Sequence, residues 1–211
     1  MRFIPEISMK ETKTNHKDFM KRISVYRKRG LDFIESRKFM LKKSGPLRGS
    51  ILEIGTGTGY TTLALAVDNY KFISIDKDEQ ALKIAALNLA YENILGNVRF
   101  YIMDGKLLSF DNGSFKNVIV VNLFHHIIDV DKMFSEIDRA LCSNGMAVLA
   151  DFNQRGMEIV SSVHKEEGRI HEDSGVSKDY IYSHFKGLGY DIKEYHEKHH
   201  WLLIARKLLQ E

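Results

Sequence analysis

The residues best placed to do chemistry lie at 50–59, Ser-Ile-Leu-Glu-Ile-Gly-Thr-Gly-Thr-Gly, where a short apolar run leads into three glycines at alternate positions. Ile51, Leu52 and Ile54 suit a central parallel strand, and residues 61–66 read as a helix covering it. Gly55, Gly57 and Gly59 form the turn between them; lacking Cβ atoms, they let the backbone take positive φ and let a ligand lie against it. Such a turn suits a nucleotide-like cofactor. Dinucleotide-binding turns use the spacing G-x-G-x-x-G to hold a pyrophosphate at a helix N-terminus. Here the third glycine comes one residue earlier, and Glu53 stands two residues before the first, inside the strand. A carboxylate there repels a pyrophosphate and suits a cationic or amino-bearing ligand.

The elements that must position this turn fit one domain. A chain of 211 residues with 44% hydrophobic content can bury a single substantial core. No apolar run approaches membrane-spanning length, and the opening Met-Arg-Phe-Ile-Pro-Glu has no signal-peptide apolar stretch, so a cytoplasmic protein without membrane association is expected. Cys142 is the only cysteine, which excludes an intrachain disulfide and a multi-cysteine zinc cluster; at the end of an expected helix it reads as structural.

Charge is uneven. Residues 1–50 hold 14 Lys and Arg against 5 Asp and Glu, a net of +9, which leaves the remainder at −6. Two helices are expected in this basic segment: 15–29, with Phe19, Met20, Ile23 and Tyr26 on one side, and 31–43, with Leu31, Ile34, Met40 and Leu41. Gly30 separates them, and Gly45-Pro46 stops the second. A basic segment can draw nucleic acid, or it can present a solvated face that also pairs with an acidic remainder. Interspersed apolar residues and the lack of an aromatic stacking module favour the second reading.

Strands are expected at 71–76, 98–104 and 117–122, then a helix over 129–142, a fifth strand at 145–152, a polar insertion at 153–176 and a helix over 177–187. Residues 190–198 and 200–207 are two extended runs with a tight connection, hence an antiparallel hairpin. His164, Glu167 and His171 in the insertion invite a metal. On a helix the two histidines would lie about 10 Å apart along the axis, too far to share one ion, so no metal site is expected. Arg155, His164, Arg169 and His171 read as acceptor-pocket candidates or as solvated surface.

The Glu53-x-Gly55-x-Gly57-x-Gly59 pattern, with these elements behind it, resembles the class I S-adenosylmethionine-dependent methyltransferases over roughly residues 47–207. The resemblance implies a Rossmann-like, seven-stranded, mostly parallel sheet with a C-terminal antiparallel hairpin and helices on both faces. It also implies a helical cap at 1–46 and a cofactor-binding domain at 47–211. The implied cofactor is S-adenosyl-L-methionine, which carries no phosphate. Glu53, Gly55, Thr56, Gly57 and Gly59 match its cofactor-binding turn, and Tyr60 would pack on the cofactor or on the second helix; Asp76, with Lys77 beside it, matches the ribose-hydroxyl ligand. Met103, Asp104 and Gly105 match the adenine edge, and Asn122-Leu-Phe-His-His matches the segment beside the methyl group.

Methyl transfer from a sulfonium needs little covalent help from a protein, so positioning dominates, and a base is needed only where the nucleophile keeps its proton. His125 and His126, just past the fourth strand, are the candidates; the alternative is one histidine packed under the next helix and the other solvated. Asn122-Leu-Phe-His lacks the Asp/Asn-Pro-Pro-Tyr/Phe arrangement of amino-group enzymes acting on adenine or glutamine, and Cys142 is not placed as a cytosine-C5 nucleophile. The expected partner is a small-molecule methyl acceptor, with an RNA or protein acceptor and a noncatalytic cofactor-binding module as alternatives.

Overall fold

The structure is a computed structural model that describes residues 1–169 and 174–208. Its centre is β2 (Ile51–Ile54), every residue of which is buried. β2 pairs in parallel with β3 (Phe72–Asp76) on one side and β5 (Phe115–Val121) on the other. β4 (Val98–Ile102) lies outside β3, and β6 (Leu141–Phe152) lies beside β5, both again parallel. The hairpin of β7 (Asp191–His196) and β8 (His200–Arg206) closes the sheet, with β8 antiparallel to β6. Chain order runs outward from β2 through β3 to β4 on one side and from β5 to β6 on the other. The connections therefore leave these neighbours on opposite faces and open a crevice at their carboxyl ends.

Helices cover both faces. Alternation along the strands sends Leu52, Ile54, Val118 and Val120 into one core layer, with Phe134 and Ile137 of α5 (Val130–Ala140) and Phe185 of α7 (Lys178–Gly187). Ile51, Ile119 and Val148 face the other layer, with Leu65 of α3 (Tyr60–Val67) and Leu82 of α4 (Glu79–Tyr91). A third, smaller core joins Tyr26 of α1 (Met9–Lys28), Phe33 of α2 (Phe33–Ser44), Phe152, and Val160 and Val163 of α6 (Gln154–Glu166). This third core sets the cap over the crevice.

The α/β architecture with its closing hairpin is as the sequence implied, with several differences in detail. The sheet has eight strands rather than seven, because the basic N-terminal segment contributes β1 (Arg2–Phe3), antiparallel to β4. Two residues show no period, so no sequence pattern marks this strand. α1 begins at Met9 rather than at 15, set by a capping box in which Ser8 and Glu11 satisfy each other's backbone N–H groups. Met20 falls on its exposed side, away from Phe19, Ile23 and Tyr26. Leu31 precedes α2, whose N-cap is Asp32.

The largest departure is the polar insertion, much of which is helical: Asn153 caps α6 by accepting from Gly156 N–H, and Val160 and Val163 bury a narrow stripe. Polar residues on its remaining faces hide that stripe in the sequence. α5 stops at Ala140, so Cys142 lies near the start of β6 rather than at a helix end. His171 lies outside the described residues. Among the described residues no group of three His, Cys, Asp or Glu side chains could hold a metal, and no helix is long and apolar enough to cross a membrane.

Close packing at the end of the turn constrains Gly59. Its φ is +88°, and a Cβ there would lie 2.8 Å from the Ala85 Cβ and 3.0 Å from the Ala85 Cα of α4. Gly59→Ala should therefore destabilise the protein by about 3 kcal/mol, from overpacking against backbone and the left-handed conformation. Urea unfolding checks this; a loss under about 1 kcal/mol would mean that α4 moves aside freely.

Candidate functional site

The carboxyl ends of β2 to β6 bring the candidate residues to one edge of the sheet. Gly55 N–H and Thr56 N–H both donate to Ile75 O, at 2.9 and 3.1 Å, which folds the chain out of β2 and across the end of β3. Gly57 N–H then donates to Asp76 Oδ2 at 2.8 Å, while Asp76 Oδ1 accepts from Asp78 N–H at 3.0 Å. A Cβ on Gly55 would meet Leu123 Cδ2 at 2.7 Å, whereas one on Gly57 would meet nothing within 4 Å. Gly55 therefore serves internal packing, and Gly57 presents its bare backbone to open space.

Glu53 does not face the cleft. It sits on the same strand face as Ile51, buried under α3, where Thr62 Oγ1 and Ser74 Oγ donate to its Oε2 at 2.7 and 2.6 Å. Its Oε1 is buried with no partner. Burial pushes this carboxyl up to about 7, against the two hydrogen bonds, which favour the charged form. Thr56 Oγ1 lies 2.6 Å from Ser74 Oγ; Ser74 gives its one hydrogen to Glu53 and accepts from Thr56.

A cleft of about 200 Å³ opens beside the turn, lined by Gly55 to Thr58, Tyr60, Asn122, His125 and His126, with Arg22, Tyr26, Phe33 and Arg37 of the cap above. Tyr60 packs between Phe19 and Phe33, with ring centroids 4.9 and 4.6 Å away. Its hydroxyl is buried without a partner, as is Asn122 Oδ1. Asn122 stands at φ +55°, a left-handed turn out of β5 that asparagine tolerates. Asp76, Met103, Asp104 and Gly105 are not in the lining of this cleft. Met103 N–H donates to Asp76 O at 2.9 Å, Asp104 Oδ1 accepts from Lys106 N–H at 2.8 Å, and Gly105 is pressed against Ile54 and Met133. Lys77 is exposed between β3 and α4.

The two histidines differ. His125 is buried; its Nδ1 lies 2.7 Å from Asp151 Oδ1, and its backbone N–H donates to Asp151 Oδ2 at 3.2 Å. The carboxylate accepts from Nδ1–H, which fixes the orientation of the ring. His126 is exposed, its ring centroid 3.9 Å from that of His125. Asp151 was not singled out in the sequence, although a carboxylate ending an apolar strand, as at Asp76, was the available signal. Phe152, next to Asp151, and His125 also line a second cleft of about 520 Å³, with Met157, Val176 and Trp201.

Arg37 is the other residue missed. Phe33, Arg37, Met40 and Ser44 are all buried on α2, so helical spacing alone places this arginine on the inner face. Its Nη1 lies 3.5 Å from His200 Nε2, and His200 Nδ1 lies 3.3 Å from Glu197 Oε2. A guanidinium can only donate, so His200 carries its proton on Nδ1 and passes the polarity on to Glu197. Burial holds His200 down to about 4. His199, in the hairpin turn, and His200, at the start of β8, are both buried.

Residues 51–145 match a family described as "Methyltransferase domain". Over these residues, from β2 to the start of β6, the chain is similar to methyltransferases. It is 30% identical over 141 residues to the uncharacterized methyltransferase YcgJ of Bacillus subtilis (strain 168), covering 65% of this chain and 55% of that protein. It is 25% identical over 134 residues to the ubiquinone/menaquinone biosynthesis C-methyltransferase UbiE of Marinomonas sp. (strain MWYL1), covering 62% and 53%. The chain spans about half the length of these curated relatives. The fold is similar to the crystal structure of the PH0226 protein from Pyrococcus horikoshii OT3, with a TM-score of 0.70, 19% identity, and coverage of 86% of this chain and 91% of that one. The open backbone at Gly57 and the unpartnered oxygens of Tyr60 and Asn122 suit a polar ligand laid along the turn.

The buried Glu53 gives the protein a pH-dependent stability. The folded chain holds this proton more tightly than the unfolded one. The contribution is therefore complete below the ordinary glutamate value of 4.5 and is lost as pH rises to about 7. Glu53→Gln removes the charge, so its stability relative to wild type should rise between about pH 5 and about pH 8, by on the order of 3 kcal/mol. Urea midpoints at the two pH values check this, and a difference independent of pH would contradict it.

Proposed function

We propose that this chain moves a methyl group from S-adenosylmethionine to a small-molecule acceptor by in-line displacement, with His125 as general base where the acceptor retains its proton. The observation that carries the reading is the His125–Asp151 pair, 2.7 Å apart and buried, in a wall shared by the turn's cleft and the second cleft. When bound, the cofactor supplies a methyl group already activated by the sulfonium. The chain's part is to hold, align and dry the site.

In this reading Gly57 lies along the cofactor's amino-acid end, Asn122 Oδ1 accepts from its ammonium, and Asp76 accepts from ribose hydroxyls. Asp76 has lone pairs to do so while still bonded to Gly57. Met103, Asp104 and Gly105 hold the adenine edge. Glu53 acts indirectly, by fixing the start of α3 against β3 through Thr62 and Ser74. The second cleft receives the acceptor; with Phe152, Met157, Val176 and Trp201 in its wall it suits a partly apolar molecule, and its volume is that of a small-ligand site. Likeness to a C-methyltransferase of ubiquinone/menaquinone biosynthesis supports a small acceptor. The cap at 1–46 roofs the cleft. Several of its basic residues face carboxylates, as in Arg27–Asp32 at 2.7 Å and Arg22–Glu167 at 3.4 Å, which supports a solvated, paired surface over a nucleic-acid track.

Aspartate-held Nδ1 makes Asp151→Asn a sharper probe than removal of the histidine. Asp151→Asn and His125→Ala should each lower turnover on a methyl-accepting metabolite fraction by about a hundredfold or more. Affinity for S-adenosylhomocysteine should stay within about threefold of wild type. His126→Ala should lower turnover far less. Label transfer from methyl-labelled cofactor into fractionated metabolites measures all three, and full turnover in both His125→Ala and Asp151→Asn would remove the base from the mechanism.

A further inference from the structure

Residues 103–114, between β4 and β5, form neither helix nor strand, so their backbone groups need partners from elsewhere. One guanidinium on α5 supplies several of them. Arg139 donates through Nη2 to Leu108 O at 2.9 Å, and through Nη1 to Phe110 O at 2.7 Å and to Asn112 Oδ1 at 2.9 Å. Its remaining N–H groups, on Nε and Nη2, donate to the two carboxylate oxygens of Glu136 at 2.8 Å each. Every donor of the guanidinium is thus in use. Glu136, one turn earlier on α5, accepts from Leu108 N–H at 2.6 Å, so the pair grips both backbone groups of a single loop residue. Gly113 N–H donates to Arg139 O at 2.8 Å and secures the far end. Hydrogen bonds from Arg139 hold the Glu136 carboxyl below the usual glutamate range.

The near end of the segment rests on the same stripe of α5. A Cβ on Gly105 would lie 2.8 Å from Cε of Met133, one turn before Glu136, and 2.6 Å from Ile54 Cγ2. Lys106 N–H and Leu107 N–H both turn back to Asp104, at Oδ1 (2.8 Å) and at O (3.0 Å), which links Asp104 and Gly105 to Leu108 through one tight turn. A glutamate and an arginine three residues apart on an open helix face ordinarily hold only each other and contribute little. Here the pair is partly buried, and the segment that carries Met103, Asp104 and Gly105 hangs from it.

We infer that the Glu136–Arg139 pair positions this segment for base selection: by fixing its path, the pair sets which purine the cofactor site accepts. The inference rests on the proposed reading of Met103, Asp104 and Gly105 as the adenine edge. Neither member of the pair lines either cleft, so both act through the loop. Adenine offers an exocyclic amino group where hypoxanthine has a carbonyl oxygen. An acceptor held within hydrogen-bond reach of that position binds the first and repels the second, so discrimination between the two bases reads the placement of the loop.

Calorimetric titration of the full chain compares S-adenosylhomocysteine with S-inosylhomocysteine, in which a ring carbonyl replaces the amino group. Wild type should favour the adenosyl compound about a hundredfold or more. Arg139→Lys keeps the charge and loses the planar fork, so the preference should fall to about tenfold or less. Glu136→Gln gives up one acceptor oxygen and should lower the preference about threefold to tenfold; it carries the test should Arg139→Lys not fold. The ratio is insensitive to general damage, because a partly unfolded population weakens both ligands by the same factor. Lower stability with an unchanged preference in the variants makes the pair a structural tie and overturns the inference, as does a wild type that binds the two compounds equally. Wild type that binds neither overturns the adenine reading itself, and the inference with it.

Discussion

One buried carboxylate organises the ligand end of the sheet. Glu53 accepts from Thr62 on α3 and from Ser74 on β3, and Ser74 in turn accepts from Thr56 in the turn, so four side chains join strand, neighbouring strand, turn and helix. Burying an acid under a helix is costly, and the two hydroxyl donors offset part of that cost. The network holds α3 close to the sheet, and Gly59 is then needed so that α4 can pass at van der Waals distance. Displacing any of these would carry the glycine turn away from Asp76.

Above this frame, the cap is held by aromatic packing and by the C-terminal hairpin. Phe19 and Phe33 sandwich Tyr60, Phe152 meets Phe33 from β6, and Glu197 at the hairpin turn orients His200 beneath Arg37. The cleft thus has a floor from the parallel strands, a roof from the first two helices, and a side wall from the end of β6 and the hairpin. Residues far apart in sequence meet there because a doubly wound sheet gathers the carboxyl ends of its strands.

The charges around the cleft follow the same division. Asp76 and Asp151 end strands at the open edge, where backbone N–H groups and an imidazole satisfy them. Arg37 approaches from the cap, its guanidinium donating to Thr61 on α3 and to His200 on β8.

The order of strands and helices, the glycine turn, the acid ending β3 and the closing hairpin were all legible in the chain, because each is a local pattern: an apolar run, a glycine spacing, a strand-end carboxylate, two extended runs with a short connection. β1 and α6 were not, since a two-residue strand has no period and the buried stripe of α6 is narrow among polar residues. Glu53 was recognised as a carboxylate inside the strand, but strand alternation turns it toward α3 and only the placement of that helix shows that it meets Thr62. Likewise, the sequence by itself determined that a glycine turn suited to a nucleotide-like ligand follows β2. Only tertiary structure decided that Asp151 holds His125 and that Arg37 of the cap meets His200 of the hairpin, since these contacts join side chains 26 and more residues apart where water is excluded.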